Sequence, residues 1–413
     1  MKSLISAILS KAGGSLFTLV LVVYLGQAIG SRASGYFYFT LAVAVMLSQL
    51  LRLGMDGVVL RLSSRHYHAG DTDALRRLVG DVLIYLVACG TVMILAGKAL
   101  GEYVAPLLFP GELPTLLYDA ALYSFVPFTL MWTGAAFLKG IGKTSLSVFI
   151  EAGSVPLCVL LLMQLHTGAT DYRDAVEALL RANLIAAVLA LALVYRFAGC
   201  KIILPGLVRR GRELLAESLR GVWVAISNTL IVWSPLFLLG IFATPEDVGV
   251  YNAAFRVTMV IGAFSAVFRG VATPRLAGLL QRKESPLPFL RQSMAAIVGA
   301  GLLVLLAGEL SFDWLFAHFG EGFTGASGLA MLMLVGMLAN VLFVIMETQL
   351  ILADRNDLLR ANAIFTALLT LPVTLLLIAN FQAYGAALGF VITNVLSRGN
   401  MLYLFNRMYG CRI

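Results

Sequence analysis

The chain has 413 residues, of which 60% are hydrophobic and 13% charged, and its mean hydropathy is +0.90. So little polar surface cannot cover a water-soluble domain of this size, which excludes soluble enzymes and nucleic-acid-binding modules. The net charge of +8 calls for no nucleic acid; its explanation lies in where the Lys and Arg fall.

Twelve apolar blocks are each long enough for a membrane span, which needs roughly 20 such residues. In chain order they cover 12–31, 36–56, 79–98, 117–138, 144–164, 176–197, 219–241, 249–270, 292–316, 328–351, 359–379 and 384–405. Unpaired backbone cannot sit in lipid, so each block is predicted to be helical. Cytoplasmic loops should carry the basic residues. Placing both termini in the cytoplasm puts 25 of the 30 Lys and Arg on the inner side and four (Arg32, Lys98, Arg173, Arg181) on the outer, with Arg256 inside a span. The positive charge is therefore an orienting device, suited to anionic headgroups at the inner surface. The first block is too long for a cleaved signal peptide. Cys89 and Cys158 lie in spans, and Cys200 and Cys411 fall on the inner side. They suggest neither a disulfide framework nor a metal site.

The second half repeats the first. Leu25-Gly26, Gly35, Phe37 and Arg61-Leu62 recur with unchanged spacing as Leu239-Gly240, Gly249, Tyr251 and Arg275-Leu276, at an offset of 214 residues. Leu138 to Lys143 is answered by Leu350 to Arg355. Each half thus holds six spans, inserted the same way, which predicts a pseudo-two-fold axis along the membrane normal. The expected fold is an all-α polytopic membrane protein of two pseudo-symmetric six-helix bundles, 1–200 and 219–413, joined by a basic cytoplasmic linker at 201–218. Such a pair of bundles around a cleft suits alternating access.

The outer loops at 99–116 and 165–175 are too short for a folded domain, which weighs against a membrane glycan polymerase or ligase. No phosphate loop, zinc-binding His-Glu-x-x-His or serine elbow is present. Gly140-Ile-Gly-Lys-Thr144 reads as a turn between helices, and His66, His68, His166 and His318 are scattered. No cofactor or metal is implied.

A charge inside a span costs at least about 2.5–3.5 kcal/mol, so it is a functional candidate. Arg256 lies roughly 10 Å deep from the outer side at about 1.5 Å per residue. Arg181 enters the sixth block beside Asn183, and Arg52, Arg220 and Arg269 sit near the inner surface, where they also anchor the helices by snorkelling. A cleft bearing Arg256 and Arg181, with Arg52, Arg220 and Arg269 at its inner mouth, is expected to hold an anionic cargo, since arginine binds phosphate oxygens in pairs and stays charged. Glu151 and Glu347 are expected either as partners of the buried arginine or as ion-coupling carboxylates.

Lys11-Ala-Gly-Gly-Ser, Tyr24-Leu-Gly-Gln, Gly35-Tyr-Phe and the Leu53-Gly54-Met-Asp-Gly57 turn leading to Arg61 resemble the start of bacterial polysaccharide-export flippases. Tyr384-Gly-Ala-Ala-Leu-Gly is similar to their terminal pattern. The family is the Wzx-type O-antigen flippases, in the superfamily of multidrug/toxin extruders (MATE) and the lipid II flippase. The resemblance implies a MATE-like fold in a bacterial inner membrane. It also implies flipping of an undecaprenyl-diphosphate-linked oligosaccharide, coupled to H+ or Na+, with a glycan polymerase and chain-length regulator as partners. Readings that remain open are a multidrug or metabolite cation antiporter of the same fold, a glycan polymerase or ligase, and a scaffold for glycan enzymes.

Overall fold

A computed structural model describes the backbone of residues 2–109, 114–165, 171–203, 206–282, 284–320, 322–323 and 325–409. Side chains lie outside the description at 2–5, 7–8, 114, 220–221, 224, 228, 260–271, 274, 280, 345, 356 and 408–409. Among the described residues every regular element is a helix. They run α1 (Lys2–Arg52), α2 (Met55–His68), α3 (Thr72–Leu108), α4 (Pro114–Gly140), α5 (Thr144–Phe149), a π-helical turn (Ile150–Ser154), α6 (Val155–Gln164) and α7 (Tyr172–Phe197). The chain continues through α8 (Leu207–Phe242), α9 (Pro245–Gln281), α10 (Leu287–Ala317), α11 (Ala326–Leu352) and α12 (Asn356–Tyr409). Nine helices, with Thr144–Gln164 taken as one, are long and apolar enough to cross a membrane among the described residues. The chain is an all-α multi-pass membrane protein.

Two of the nine are too long for one pass. α1 has 51 residues and α12 has 54, roughly 75–80 Å if straight, against a hydrocarbon core of about 30 Å. Each doubles back. α1 breaks at Gly30 (φ 76°, ψ 177°), a conformation open to glycine because it lacks a Cβ. Beyond the break, Ser48 accepts a 2.9 Å hydrogen bond from Thr129 of α4. Before it, Thr18 reaches the Ala152 carbonyl at 3.5 Å, next to Glu151, which pairs with Lys139 of the same α4. A straight helix would hold Thr18 and Ser48 about 45 Å apart. α12 breaks at Gln382 (φ 50°), and its arms join through Asn362–Ser397 (3.3 Å), Thr366–Ser397 (2.6 Å) and Asn400–Asn362 (2.9 Å).

α4 packs on α7, α3 and α1, α8 lies along α12, and α11 lies between α9 and α12, while the broadest contact between early and late helices joins α1 to α9. The periphery is apolar, as in α10, where Val298, Leu302, Leu306 and Leu310 form one exposed row suited to lipid. Basic turns and α2 gather at one end of the bundle, here the basic end; Gly30, Thr244, His318 and Gln382 mark the opposite end.

Local chemistry explains several boundaries. Pro156 lacks an N–H and would leave the Ala152 carbonyl without its helical donor. The π-helical turn absorbs the defect, and the Thr18 hydroxyl approaches that carbonyl. α2 is a separate amphipathic helix because Leu53 (φ 44°) and Gly54 (φ 83°) turn the chain out of α1. The expected linker 201–218 is helical from Leu207, so position 219 falls within α8, whose Glu- and Arg-bearing first turns precede its apolar part. The expected loop at 99–116 is shorter, because α3 continues to Leu108 past Pro106.

α4 and α11 end alike. Lys143 N–H donates to Leu138 O (2.8 Å) and Gly142 N–H to Lys139 O (3.1 Å); Arg355 N–H donates to Leu350 O (3.0 Å) and Asp354 N–H to Ile351 O (3.1 Å). Both are Schellman ends with a left-handed residue, Gly142 (φ 79°) or Asp354 (φ 53°). Gly142→Val should cost about 1–2 kcal/mol, and Gly142→Asp less, since aspartate already serves at the matching turn. Thermal unfolding in detergent should rank them wild type, Asp, Val.

Candidate functional site

Two groups of polar residues lie within the bundle. The first is deep. Arg256, eleven residues along α9 from Pro245, has its guanidinium 5.6 Å from the ring centre of Trp233 on α8. Its charge reaches Tyr38 of α1, and neither Arg256 Nε nor the Tyr38 hydroxyl has a hydrogen-bond partner among the described residues. Lys11 of α1 lies within charge range of Arg256, Glu151 and Lys139. Lys139 Nζ meets Glu151 at 3.0 and 3.3 Å. Lys139 and Lys11 thus share the one carboxylate, and Arg256 lies near Lys11. A π-helical turn re-aims the residues it carries, and this one holds Glu151.

The second group lines a cavity of about 820 Å³ at the basic end, bounded by α2, α8, α11 and both arms of α12. Its charged walls are Arg61 paired with Glu217, Arg398 with Glu347, and Asp357 and Arg360 at the rim. Arg398 donates to Asn340 Oδ1 (3.0 Å) and meets Glu347 at 3.4 Å; Asn340 donates to Asn394 (3.1 Å), which donates to the Phe390 carbonyl (2.8 Å). On α8 the lining includes Trp223, Ser227 and Ile231. Trp233, under Arg256, is two residues further along the same helix than Ile231 and so on its other face.

Sequence depth located Arg256 and Glu151, and the structure brings them together through Lys11. It separates the others. Neither Glu151 nor Glu347 forms an ion pair with Arg256 among the described residues; their partners are Lys139 and Arg398. The expectation that Arg181 lines a cleft is corrected: its side chain is 61% exposed and pairs with Glu177 one turn before it. Asn183, fully buried, is the inward residue there. Arg52 is buried at the α1–α2 corner, bonded to Gln49 (3.1 Å) and Asp56 and lying over Trp132 (5.3 Å), so its donors brace that corner. The side chains of Arg220 and Arg269 lie outside the described residues. None of Arg398, Lys139, Lys11 and Arg61 is expected from the sequence as a site residue. For Arg398 the signal was present, because it stands seven residues inside the end of the block 384–405.

If the Arg398 network holds α11 against α12, Arg398→Met should destabilise the protein by about 1.5–3 kcal/mol, the range for hydrogen bonds to charged groups. Adding Glu347→Gln should restore part of the loss, because the carboxylate left without this arginine is then neutral. Unfolding temperatures of the two single variants and the double variant measure the coupling.

A family model described as polysaccharide biosynthesis protein matches residues 1–280. A probable low-salt glycan biosynthesis flippase of Haloferax volcanii is 25% identical over 201 residues, 46% of this chain and 41% of that protein, so the match spans less than half of the relative's length. The lipid II flippase MurJ in an inward closed conformation superposes with a TM-score of 0.73 at 12% identity, covering 97% of this chain and 87% of the other. An inward-facing multidrug resistance MATE family transporter of the MOP superfamily gives 0.65 at 15% identity, covering 96% and 94%. The fold is MATE-like, and the chain belongs to the polysaccharide biosynthesis protein family.

Proposed function

We propose that this member of the polysaccharide biosynthesis protein family is a flippase. It carries an undecaprenyl-diphosphate-linked oligosaccharide from the cytoplasmic to the periplasmic leaflet of a bacterial inner membrane. The observation that carries the reading is that three cations, Arg256, Lys11 and Lys139, lie near one another with one carboxylate, Glu151, in a bundle that also holds a cavity of about 820 Å³ at its basic end. The positive-inside rule puts that end in the cytoplasm. The names of the Haloferax relative and of MurJ, both flippases, support it.

In this mechanism the glycan occupies the cavity, whose lining mixes donors, acceptors and Trp223. The diphosphate sits with Arg256, Lys11 and Lys139, and the prenyl chain stays in lipid. Arg256 Nε is a donor without a partner among the described residues, ready for an anionic oxygen. Glu151 is the coupling carboxylate in this reading: taking up H+ or Na+ weakens its hold on Lys139 and raises the positive charge that faces the diphosphate. Binding must differ between the two states for the ion to bias them. Glu347, bonded to Arg398, is the lesser coupling candidate.

Counting α1 and α12 as two passes each and α9 as one gives twelve passes with both termini inside. The division is 1–200 and 219–413, with 201–218 between them. A cation antiporter would share the fold, but Lys11, Lys139 and Arg256 would repel an organic cation. A polymerase or ligase would change its substrate covalently, whereas a flippase leaves it chemically intact; the protein is read as a transporter.

In a strain that depends on this protein for surface glycan, deletion should trap lipid-linked oligosaccharide on the cytoplasmic face. Arg256→Ala should lower glycan display about tenfold or more, the equivalent of about 1.4 kcal/mol from one lost charged hydrogen bond, and Arg256→Lys less. Unchanged display with Arg256→Ala at matched protein level would remove Arg256 from the mechanism. Normal glycan with altered drug efflux after deletion would favour the antiporter.

A further inference from the structure

At the end opposite the cavity, α1 and α9 touch backbone to backbone. A Cβ added to Gly35 would stand 1.8 Å from the Pro245 carbonyl oxygen, and one added to Gly249 would stand 2.2 Å from that of Ser31. Positions 35 and 249 are 214 residues apart, and so are 31 and 245. Exchanging the halves of the chain therefore turns the first contact into the second. Arg32 and Glu246, again 214 apart, pair with each other at 3.6 Å. Equivalent residues that touch each other lie at the symmetry axis, and reciprocal contacts beside them form an isologous patch, like that of a two-fold dimer.

Nearby contacts seal the same end. Gln27 donates to the His318 carbonyl at 2.7 Å, and Gly26 packs on the Phe319 carbonyl, where a Cβ would stand at 2.3 Å. At the basic end the seam holds the 820 Å³ cavity instead.

We propose that Gly35 and Gly249 form a two-fold clasp that shuts the outer end and must part in each transport cycle; the proposal rests on the alternating-access reading. The clasp uses glycine because only bare backbone permits so close an approach. Its contacts are of the Cα–H to carbonyl kind, individually weak and free of side chains to reorder. The glycine contacts close by fit, and opening parts them together with the exposed Arg32–Glu246 pair and the exposed Gln27–His318 hydrogen bond. One methyl group on either side should hold it apart, and the two sides should be equivalent.

The test uses the full-length protein in native membranes with Cys89, Cys158, Cys200 and Cys411 replaced by serine. Arg32→Cys with Glu246→Cys reports closure by oxidative cross-linking. In a separate background, Ile351→Cys, an exposed residue of the cavity wall, reports opening of the basic end by labelling with an impermeant maleimide in inverted vesicles. Gly35→Ala and Gly249→Ala are each expected to lower the cross-link yield several-fold and by similar factors. Labelling at Ile351→Cys should fall with it, as the basic end closes. Gly278→Ala, on α9 with open space at its Cβ position, should change neither.

Cross-linking unchanged by both variants would overturn the clasp, and an effect confined to one would overturn its two-fold character. Loss of cross-linking with increased labelling would mean a loosened fold and overturn it as well. Neither readout involves glycan. A clasp that behaves as described in a protein whose deletion leaves surface glycan normal would count against the flippase reading alone.

Discussion

In a medium without water, each backbone N–H and C=O needs a partner within the protein, and this single constraint organises the chain. The spans are helical among the described residues, and at several departures from the helical ladder another group supplies the missing partner. Two left-handed turns repeat the same pair of hydrogen bonds at Gly142 and Asp354. A serine or threonine hydroxyl back-bonds its own helix at many positions, as at Thr129 and Ser154. Where Pro156 removes a donor, a π-helical turn takes up the defect, and the Thr18 hydroxyl, which donates to the Gly14 carbonyl at 3.0 Å, stands 3.5 Å from the Ala152 carbonyl.

Against that background, charge inside the bundle is costly, and each charged group has a reason to be tolerated. Arg398 is held by a chain of amides ending at a backbone carbonyl. Arg52 is wrapped by Gln49, Asp56 and Trp132. Among the described residues Arg256 lies over the face of Trp233, worth about 0.5–2 kcal/mol, near Tyr38, and its Nε has no hydrogen-bond partner there. It is the least compensated of the three among the described residues, and in the proposed flippase that deficit serves to bind an anionic cargo.

Hydropathy made the helices legible because lipid admits one backbone solution, and the block 144–164 coincides with Thr144–Gln164. The matching turns at 138–143 and 350–355 were also visible, since their residues recur. Depth counting gave how far along a span a charge lies but not which way it points. Depth alone therefore cannot show that Arg181 faces outward with Glu177, one turn before it on the same polar face. The partnership of Glu347 with Arg398, 51 residues away, depends on α11 lying beside the second arm of α12. No spacing rule encodes that. α2 was missed as a helix because hydropathy reports burial in lipid, and its alternating polar face belongs at the surface.

The ion pair between Arg32 and Glu246 bears on the history of the chain. Two copies of one polypeptide, assembled about the same axis, would set arginine against arginine or glutamate against glutamate at that point. Opposite signs become available only when the two copies differ in sequence, as they can once both are encoded in one chain. On the duplicated reading, the halves are no longer interchangeable: each has become the other's complement, and a dimer of either half alone would meet repulsion where the intact chain has attraction.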